Sequence, residues 1–357
     1  MVHKRLIEKY KSLRKQSYLN TLGKYRFQYA FAGVGHHSIS NLYPCLESLR
    51  VPLKFIYSRN LSNAEKFSHH FNGCIATADI QDILTTPEVK GMFICTEPSQ
   101  HFPLLMQAMQ AGKHVFIEKP PCRTLSELKD LIKVQGNNIC MVALQRRFST
   151  INRLLKRYHL TRKASTYVYR YCTGAYPEGD PITELFIHPI DNAVQLFGDL
   201  ATLETQKIDH GNGISFHLLV KHVNDVQGMI QLSTAYSWAG AFETLEINTT
   251  DHIVYANYPN ELKTIEKSGT LLKIPKEKVW SGPEAHKIYF SNSGFVPGAT
   301  DNSFIVQGFY PEIKHFLSLT ESGKNDHWGS IASLYTSYSV MDQLALADKN
   351  GQAKKEF

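Results

Sequence analysis

Long apolar runs, paired cysteines and a spread-out excess of one charge are all missing from this sequence, and each absence removes a class of protein. No stretch approaches the ~18 consecutive apolar residues that a membrane-spanning helix needs, so membrane insertion is not expected. The six cysteines (Cys45, Cys74, Cys95, Cys122, Cys140 and Cys172) lie far apart with no C-x-x-C pair. That spacing predicts reduced, mostly buried thiols in a cytoplasmic protein rather than a disulfide framework. A signal peptide is not expected either, because Lys4, Arg5, Lys9, Lys11, Arg14 and Lys15 interrupt the first residues before an apolar core can form. No internal repeat and no low-complexity segment occurs.

The charge is concentrated in one place. Of the net +7, all is held by residues 1–26, with eight Lys/Arg against Glu8; the remaining 31 basic and 31 acidic residues cancel. A neutral body argues against nucleic acid as a partner, and a nucleic-acid reading would rest on the leading segment alone. Leu6, Tyr10 and Leu13 fall at i, i+4 and i+7, so this segment reads as an amphipathic helix with a basic face. Two uses remain open for it: docking on its own protein or a subunit partner, and contact with an anionic surface.

With 357 residues, 43% of them hydrophobic, the chain suits two domains with sizeable cores. From 27 to 145, short apolar runs alternate with helical patterns, the sequence form of βαβ units and a parallel sheet. The expected strands are Phe27–Ala32, Leu53–Tyr57, Cys74–Ala76, Gly91–Cys95, His114–Ile117 and Ile139–Ala143. Between them, helices are expected at His37–Leu49, Ser62–Phe71, Ile80–Leu84, Ser99–Ala111 and Leu125–Val134. Beyond 145 the rhythm changes. After a helix at Thr150–Tyr158 come alternating runs at Ser165–Tyr171, Ile214–Val220, Gln227–Ser233 and Thr244–Asn248, without helices between the last three. Two helical patterns close the chain at Phe304–Leu319 and Ile331–Ala347, while Glu261–Thr300 gives no clear assignment. The expected architecture is therefore a basic extension (1–26), an α/β Rossmann domain with a mostly parallel sheet (27–145), and an α+β domain with a large, mainly antiparallel open sheet (146–357). The C-terminal helix is free to pack back on the first domain.

The first strand runs into Gly33-Val34-Gly35-His36-His37-Ser38. In a Rossmann loop the first glycine makes the tight turn, the second lets the backbone approach a pyrophosphate, and the helix N-terminus faces that anion. Here Ser38 stands at the third glycine position, small enough for close helix–strand packing. The second strand ends in Ser58-Arg59-Asn60, where an NAD-binding chain usually carries an acid for the ribose hydroxyls. Ser58 and Arg59 suit a 2′-phosphate instead, which favours NADP(H) over NAD(H); the plainer reading of Arg59 is a solvated loop residue or an adenine stack. Cys95-Thr96-Glu97 ends the fourth strand and is placed to line the same nucleotide. His36, His37 and His101 sit at loop–helix starts, where either the cofactor or a local hydrogen-bond partner would occupy them.

Glu118-Lys119-Pro120 directly follows the strand His114–Ile117, at the end of the sheet where ligands of such folds bind. A partly desolvated lysine there can hydrogen-bond a reacting hydroxyl and relay its proton, although a strand-end lysine is commonly a plain surface residue. A second cluster is Glu184-Leu185-Phe186-Ile187-His188-Pro189-Ile190-Asp191. On one helix Glu184 and His188 would share a face, with Asp191 a turn further. A histidine titrates near neutral pH and suits proton transfer; a structural histidine is the alternative. A metal site is not expected, because no third ligand of matching spacing appears. Gln145-Arg146-Arg147-Phe148 ends the last Rossmann strand. Arg146 is placed for cofactor, and Arg147 for substrate together with Tyr171 and Asp191, with salt bridging as the structural alternative.

Taken in order, these motifs resemble the glucose–fructose oxidoreductase/inositol dehydrogenase/MocA family over roughly residues 27 to 347. The pattern is a G-x-G loop, T-x-P-S-x-H at Thr96–His101, A-G-K-H-V at Ala111–Val115, E-K-P, R-R-F, and a carboxylate-x-x-x-His-x-x-Asp helix. The resemblance implies NAD(P)-linked oxidation or reduction at a hydroxyl or keto carbon of a sugar, sugar derivative or polyol. It implies Lys119 and His188 as the catalytic pair with Glu184 beside them, a Lys119–Pro120 bond that is often cis, and a homo-oligomer, dimer or tetramer, formed through the open sheet. The chain departs from the pattern at Ser38, at the inserted Glu97, at Glu184 where an aspartate is common, and in its basic extension. A non-catalytic sensor of NAD(P) with the same fold is the alternative reading.

Overall fold

The computed structural model describes residues 2–21, 25–210, 213–279, 286–292, 302–324, 326 and 328–357. It divides into two compact units: residues 1–122, 130–143 and 309–330 form the first, and 123–129, 144–308 and 331–357 the second.

The first unit is built on six strands: β1 (Gln28–Ala32), β2 (Leu53–Tyr57), β3 (Ile75–Thr77), β4 (Val89–Ile94), β5 (His114–Glu118) and β6 (Cys140–Ala143). Their order is β3-β2-β1-β4-β5-β6, and every pairing is parallel. The unbroken apolar runs make sense here. Phe31, Phe93, Phe116 and Ile117 are fully buried, because helices cover such a sheet on both faces. Strand order reverses at β1, between β2 and β4, and ligands of these sheets bind beyond the carboxyl ends at that point.

Two features of this unit differ from expectation. Phe304–Leu319 is not one helix: it breaks at Gly308 into Ser303–Gln307 and Phe309–Ser322. Gly308 has φ +106, and a Cβ there would meet the Gln145 carbonyl oxygen at 2.0 Å, so the break needs glycine. The second difference follows from the first. Helix Phe309–Ser322 packs in the first unit, although it lies within the span expected for the second domain. Phe316 enters the aromatic cluster of the sheet, 5.3 Å from Phe93 and 5.7 Å from Phe116 between ring centres. Glu321 accepts hydrogen bonds from the Phe27 backbone N–H (3.3 Å) and the Tyr29 hydroxyl (3.0 Å), which fastens this helix to β1. The basic N-terminal segment is helical over Val2–Thr21, and Leu6, Ile7, Tyr10 and Leu13 remain more than half exposed along it.

The second unit carries a nine-stranded sheet. Its members are β7 (Ala164–Cys172), β8 (Leu200–His210), β9 (Gly213–His222), β10 (Gln227–Ser233), β11 (Phe242–Thr249), β12 (His252–Tyr258) and β13 (Glu261–Glu266). A short hairpin of β14 (Thr270–Leu271) and β15 (Ile274–Pro275) stands apart, and β16 (His286–Ser291) and β17 (Gln352–Glu356) complete the large sheet. The order is β16-β13-β12-β11-β7-β10-β9-β8-β17. All neighbours are antiparallel except β10 and β7. Burial alternates along β9, as in a sheet covered on one face. Helix Tyr335–Asn350 belongs to this unit. Among the described residues no helix is long and apolar enough to cross a membrane.

Candidate functional site: a nucleotide cavity and a polar cluster

The carboxyl ends of β1, β2 and β4 enclose a cavity of about 480 Å³ in the first unit, within the usual size of a ligand site. Its floor is the glycine loop. Gly33 holds φ +116, and a Cβ there would sit 2.0 Å from the Cys95 carbonyl oxygen, so the chain turns here only as glycine. A Cβ on Gly35 would meet nothing within 4 Å. Ser38 takes the third position as expected of a small residue and does more than fit. Fully buried, its hydroxyl donates to the Gly35 carbonyl (2.8 Å) and accepts from the Gly35 N–H (2.9 Å), which pins the turn. The helix that follows opens with a π turn at Ser38–Leu42 before Tyr43–Leu49. Pro44 has no N–H to give to an i−4 carbonyl, and the Tyr43 N–H reaches back to Ser38 instead.

Gly33, Val34, Gly35, His36 and His37 line this cavity from β1. Ser58, Arg59 and Asn60 line it from β2, and Cys95, Thr96 and Glu97 from β4. These eleven positions, expected from scattered motifs, meet around one space. Sequence reasoning missed Tyr57, Asn63, Gln100 and Leu104, which line it too. Asn63 and Leu104 sit one helical turn beyond loops already identified, so helix geometry was the available signal. Arg59 and Glu97 face one another, with Nη2 and Oε2 3.6 Å apart.

His101, Glu118 and Pro120 have roles other than lining. His101 is 1% exposed; its Nδ1 lies 2.8 Å from the Pro120 carbonyl oxygen and its Nε2 3.0 Å from that of Thr96. It braces the loop after β5 against the loop after β4, which corrects its expected contact with cofactor. Burial holds its pKa below the ordinary histidine value, against the opposing pull of Pro120, Glu118 and Thr96. Glu118 is also buried, 3.2 Å from His37 Nε2. Lys119 is half-buried where β5 ends, and the Lys119–Pro120 bond is cis.

Residues 27–145 match the model of an oxidoreductase family with an NAD-binding Rossmann fold, GFO_IDH_MocA. The chain is similar to this family over about a third of its length. Its first unit is a Rossmann unit for NAD(H) or NADP(H). Among curated relatives, an uncharacterized oxidoreductase, YhhX, of Escherichia coli is 29% identical over 146 residues, 37% of this chain and 41% of the relative. A galactose 1-dehydrogenase of Pseudomonas fluorescens is 49% identical over 47 residues, 13% of this chain and 16% of that one. The chain thus matches less than half the length of either. Solved structures extend the likeness of fold. A dehydrogenase from Chromobacterium violaceum has TM-score 0.78 at 17% identity, covering 91% of this chain and 96% of its own. A levoglucosan dehydrogenase in complex with NADH and levoglucosan has TM-score 0.75 at 17% identity, covering 92% and 99%.

In the second unit, the expected Glu184–Asp191 helix is two helices, Pro181–Glu184 and Ile187–Phe197. Pro189 cannot donate to the Leu185 carbonyl, and the His188 N–H takes that acceptor instead at 3.2 Å. Glu184 and His188 therefore lie on separate helices and not on one helical face as expected. Asp180 caps the first helix by accepting from Ile182 and Thr183, and Glu184 accepts from the Asp180 N–H (3.1 Å) and the Tyr176 hydroxyl (2.9 Å). His188 is buried in the first turn of the second helix.

Arg147 and Asp191 need correction as substrate contacts. They form an ion pair with Nε–Oδ2 at 2.7 Å and side chains 0% and 1% exposed, joined by Ser333. Neither offers surface to a ligand, so the salt-bridging alternative holds for Arg147. Arg146 belongs to this unit as well. It donates to Glu243 at 2.8 Å, and Glu243 also accepts from the Tyr169 hydroxyl at 2.7 Å. The pair lines a second cavity of about 220 Å³ with Tyr171, Trp238, Phe242 and Tyr258. Burial pushes the Tyr171 hydroxyl up to about 12, so it remains a donor at neutral pH. Trp238 and Glu243 went unnoticed in sequence, because the loops around them carried no motif. Among the described residues, no group of three or more His, Cys, Asp or Glu is placed to hold a metal.

Proposed function

We propose that this chain transfers hydride between a nicotinamide cofactor and a hydroxyl- or keto-bearing carbon of a sugar, sugar derivative or polyol. The observation that carries the reading is the first-unit cavity, in which the glycine loop, Ser58–Asn60 and Cys95–Glu97 converge beyond the carboxyl ends of a parallel sheet. The fit to a dinucleotide rests on the open space over Gly35 and on a guanidinium at the β2 end. Relatives and fold neighbours whose names refer to galactose and levoglucosan support a carbohydrate-like substrate.

The bound nicotinamide would supply or accept the hydride. In the oxidative direction the substrate hydroxyl must lose its proton as hydride leaves the same carbon, and the reductive direction returns it. We assign that proton to Lys119 and His188: the lysine hydrogen-bonds the reacting oxygen and the histidine accepts or returns the proton. Glu184 holds the loop ahead of His188 in place through its bonds to Asp180 and Tyr176. Tyr171 and the Arg146–Glu243 pair line the second-unit cavity with donors and acceptors suited to hydroxyl groups. Ser58 and Arg59 favour NADP(H).

The test is turnover. Purified protein is given NADP⁺ or NAD⁺ with a panel of sugars and polyols, or reduced cofactor with the matching keto compounds, while nicotinamide absorbance is followed. The reading expects a change with at least one of them that Lys119→Ala abolishes. Tight cofactor binding without turnover on any would favour a sensor.

A further inference from the structure

Arg59 and Glu97 come from different strand ends, after β2 and after β4, and both line the nucleotide cavity. Their backbones are fixed independently. The Ser58 N–H donates to the Thr77 carbonyl at 3.1 Å, and Asn60 caps the next helix by accepting from Ser62 at 3.1 Å. The Glu97 carbonyl accepts from Gln100 at 2.8 Å, while its side chain makes no capping bond and turns to Arg59. The two side chains are 71% and 65% exposed and touch through one 3.6 Å contact. Such an ion pair is weak and opens readily for a ligand.

We propose that Glu97 sets the cofactor preference of this site by opposing Arg59, giving a site that accepts both NADP(H) and NAD(H). The proposal rests on reading the cavity as the nucleotide site and goes beyond it in naming the residue that limits selectivity. A guanidinium alone at the β2 end attracts the extra phosphate that distinguishes NADP(H). A carboxylate 3.6 Å from that guanidinium screens it and repels the phosphate dianion, while a ribose carrying only hydroxyls meets no such penalty. The carboxylate is also an acceptor for those hydroxyls, the part that an acid at the β2 end plays in NAD sites. This chain therefore holds the guanidinium of one preference and the carboxylate of the other, and the choice between cofactors is a balance of the two.

NADPH and NADH are titrated separately into the full-length protein, wild type and Glu97→Gln, by nicotinamide fluorescence with calorimetry as a second readout. The expected result is that the ratio of dissociation constants, NADH over NADPH, rises about tenfold in the variant, since a like charge is removed from beside a dianion in a nearly aqueous setting. The gain shrinks at about 1 M salt, where screening acts within ~3 Å. Glu97→Ala moves the ratio in the same direction, which separates loss of charge from any new bond made by glutamine. If both nucleotides bind and the ratio stays at the wild-type value in both variants, the proposal is overturned and the nucleotide site stands. If wild-type protein binds neither nucleotide, the site itself is misread and the proposal falls with it.

Discussion

His37 Nε2 lies 3.2 Å from Glu118 Oε1, joining the helix after β1 to the end of β5. Burial pulls the His37 pKa down, but the hydrogen bond and charge of Glu118 outweigh it and leave the histidine above its ordinary 6.5. Burial pushes Glu118 up, but His37, Lys119 and His101 outweigh that and hold it below 4.5. The raised histidine contributes stability in full below 6.5, lost as pH rises through its folded value. The lowered glutamate contributes in full above 4.5, lost as pH falls through its folded value. Between the two values both contributions are complete. In Glu118→Gln, the His37 titration midpoint followed by NMR should fall, and melting temperature should drop less on leaving that window in either direction. An unchanged His37 midpoint would show that the contact does not hold the proton.

The two loop glycines should behave differently when each becomes alanine. Gly33→Ala drives a Cβ into the Cys95 carbonyl at a φ that side chains resist, and a loss of about 2 kcal/mol or more is expected in urea unfolding. Gly35→Ala enters open space and should unfold close to the wild-type midpoint. Equal losses in the two would mean that the open space over Gly35 is not real.

Removing one member of the buried Arg147–Asp191 pair strands the other charge away from water. Arg147→Met or Asp191→Asn should each cost about 3–5 kcal/mol, read as a lower denaturant midpoint. The double variant Arg147→Met/Asp191→Leu should recover part of that loss. A loss below about 1 kcal/mol in the single variants would place the pair in contact with solvent.

Lys119→Ala and His188→Ala should each lower turnover about 10²- to 10⁴-fold, and more than they weaken cofactor binding. A loss confined to cofactor affinity would assign Lys119 to nucleotide binding and leave the proton to another group.

The parallel sheet was legible because several of its strands are largely apolar rather than alternating and because Gly33 and Gly35 follow the first of them. The cofactor side of the site was legible for the same reason: backbone loops at strand ends are local in sequence, and β-strand order brings them together. What escaped was long-range or backbone-encoded. No local signal says that Phe316 and Glu321 return to β1 across nearly 300 residues of chain. Gly308 looked like an ordinary residue within a helical pattern, since only the nearby Gln145 carbonyl makes its positive φ necessary. Pro189 was visible, but its effect on the Leu185 carbonyl, and hence on the spacing of Glu184 and His188, is a matter of backbone bonds. Arg147 read as a ligand contact because charge beside a strand end attracts that interpretation; its burial against Asp191 depends on the packing of three separated segments. The strands at Leu200–His210, His252–Tyr258 and Glu261–Glu266 were missed because their polar residues match solvent-facing positions of a one-sided sheet.

The nucleotide cavity is the claim on which the rest depends, and calorimetric titration of NADPH and NADH into wild-type protein and Gly35→Ala tests it most directly. The account predicts that wild-type protein binds at least one of the two, and that the added methyl, sitting where the backbone must be approached, weakens binding at least tenfold with no shift in melting temperature. Equal binding by the two proteins, or none by the wild type, would contradict it.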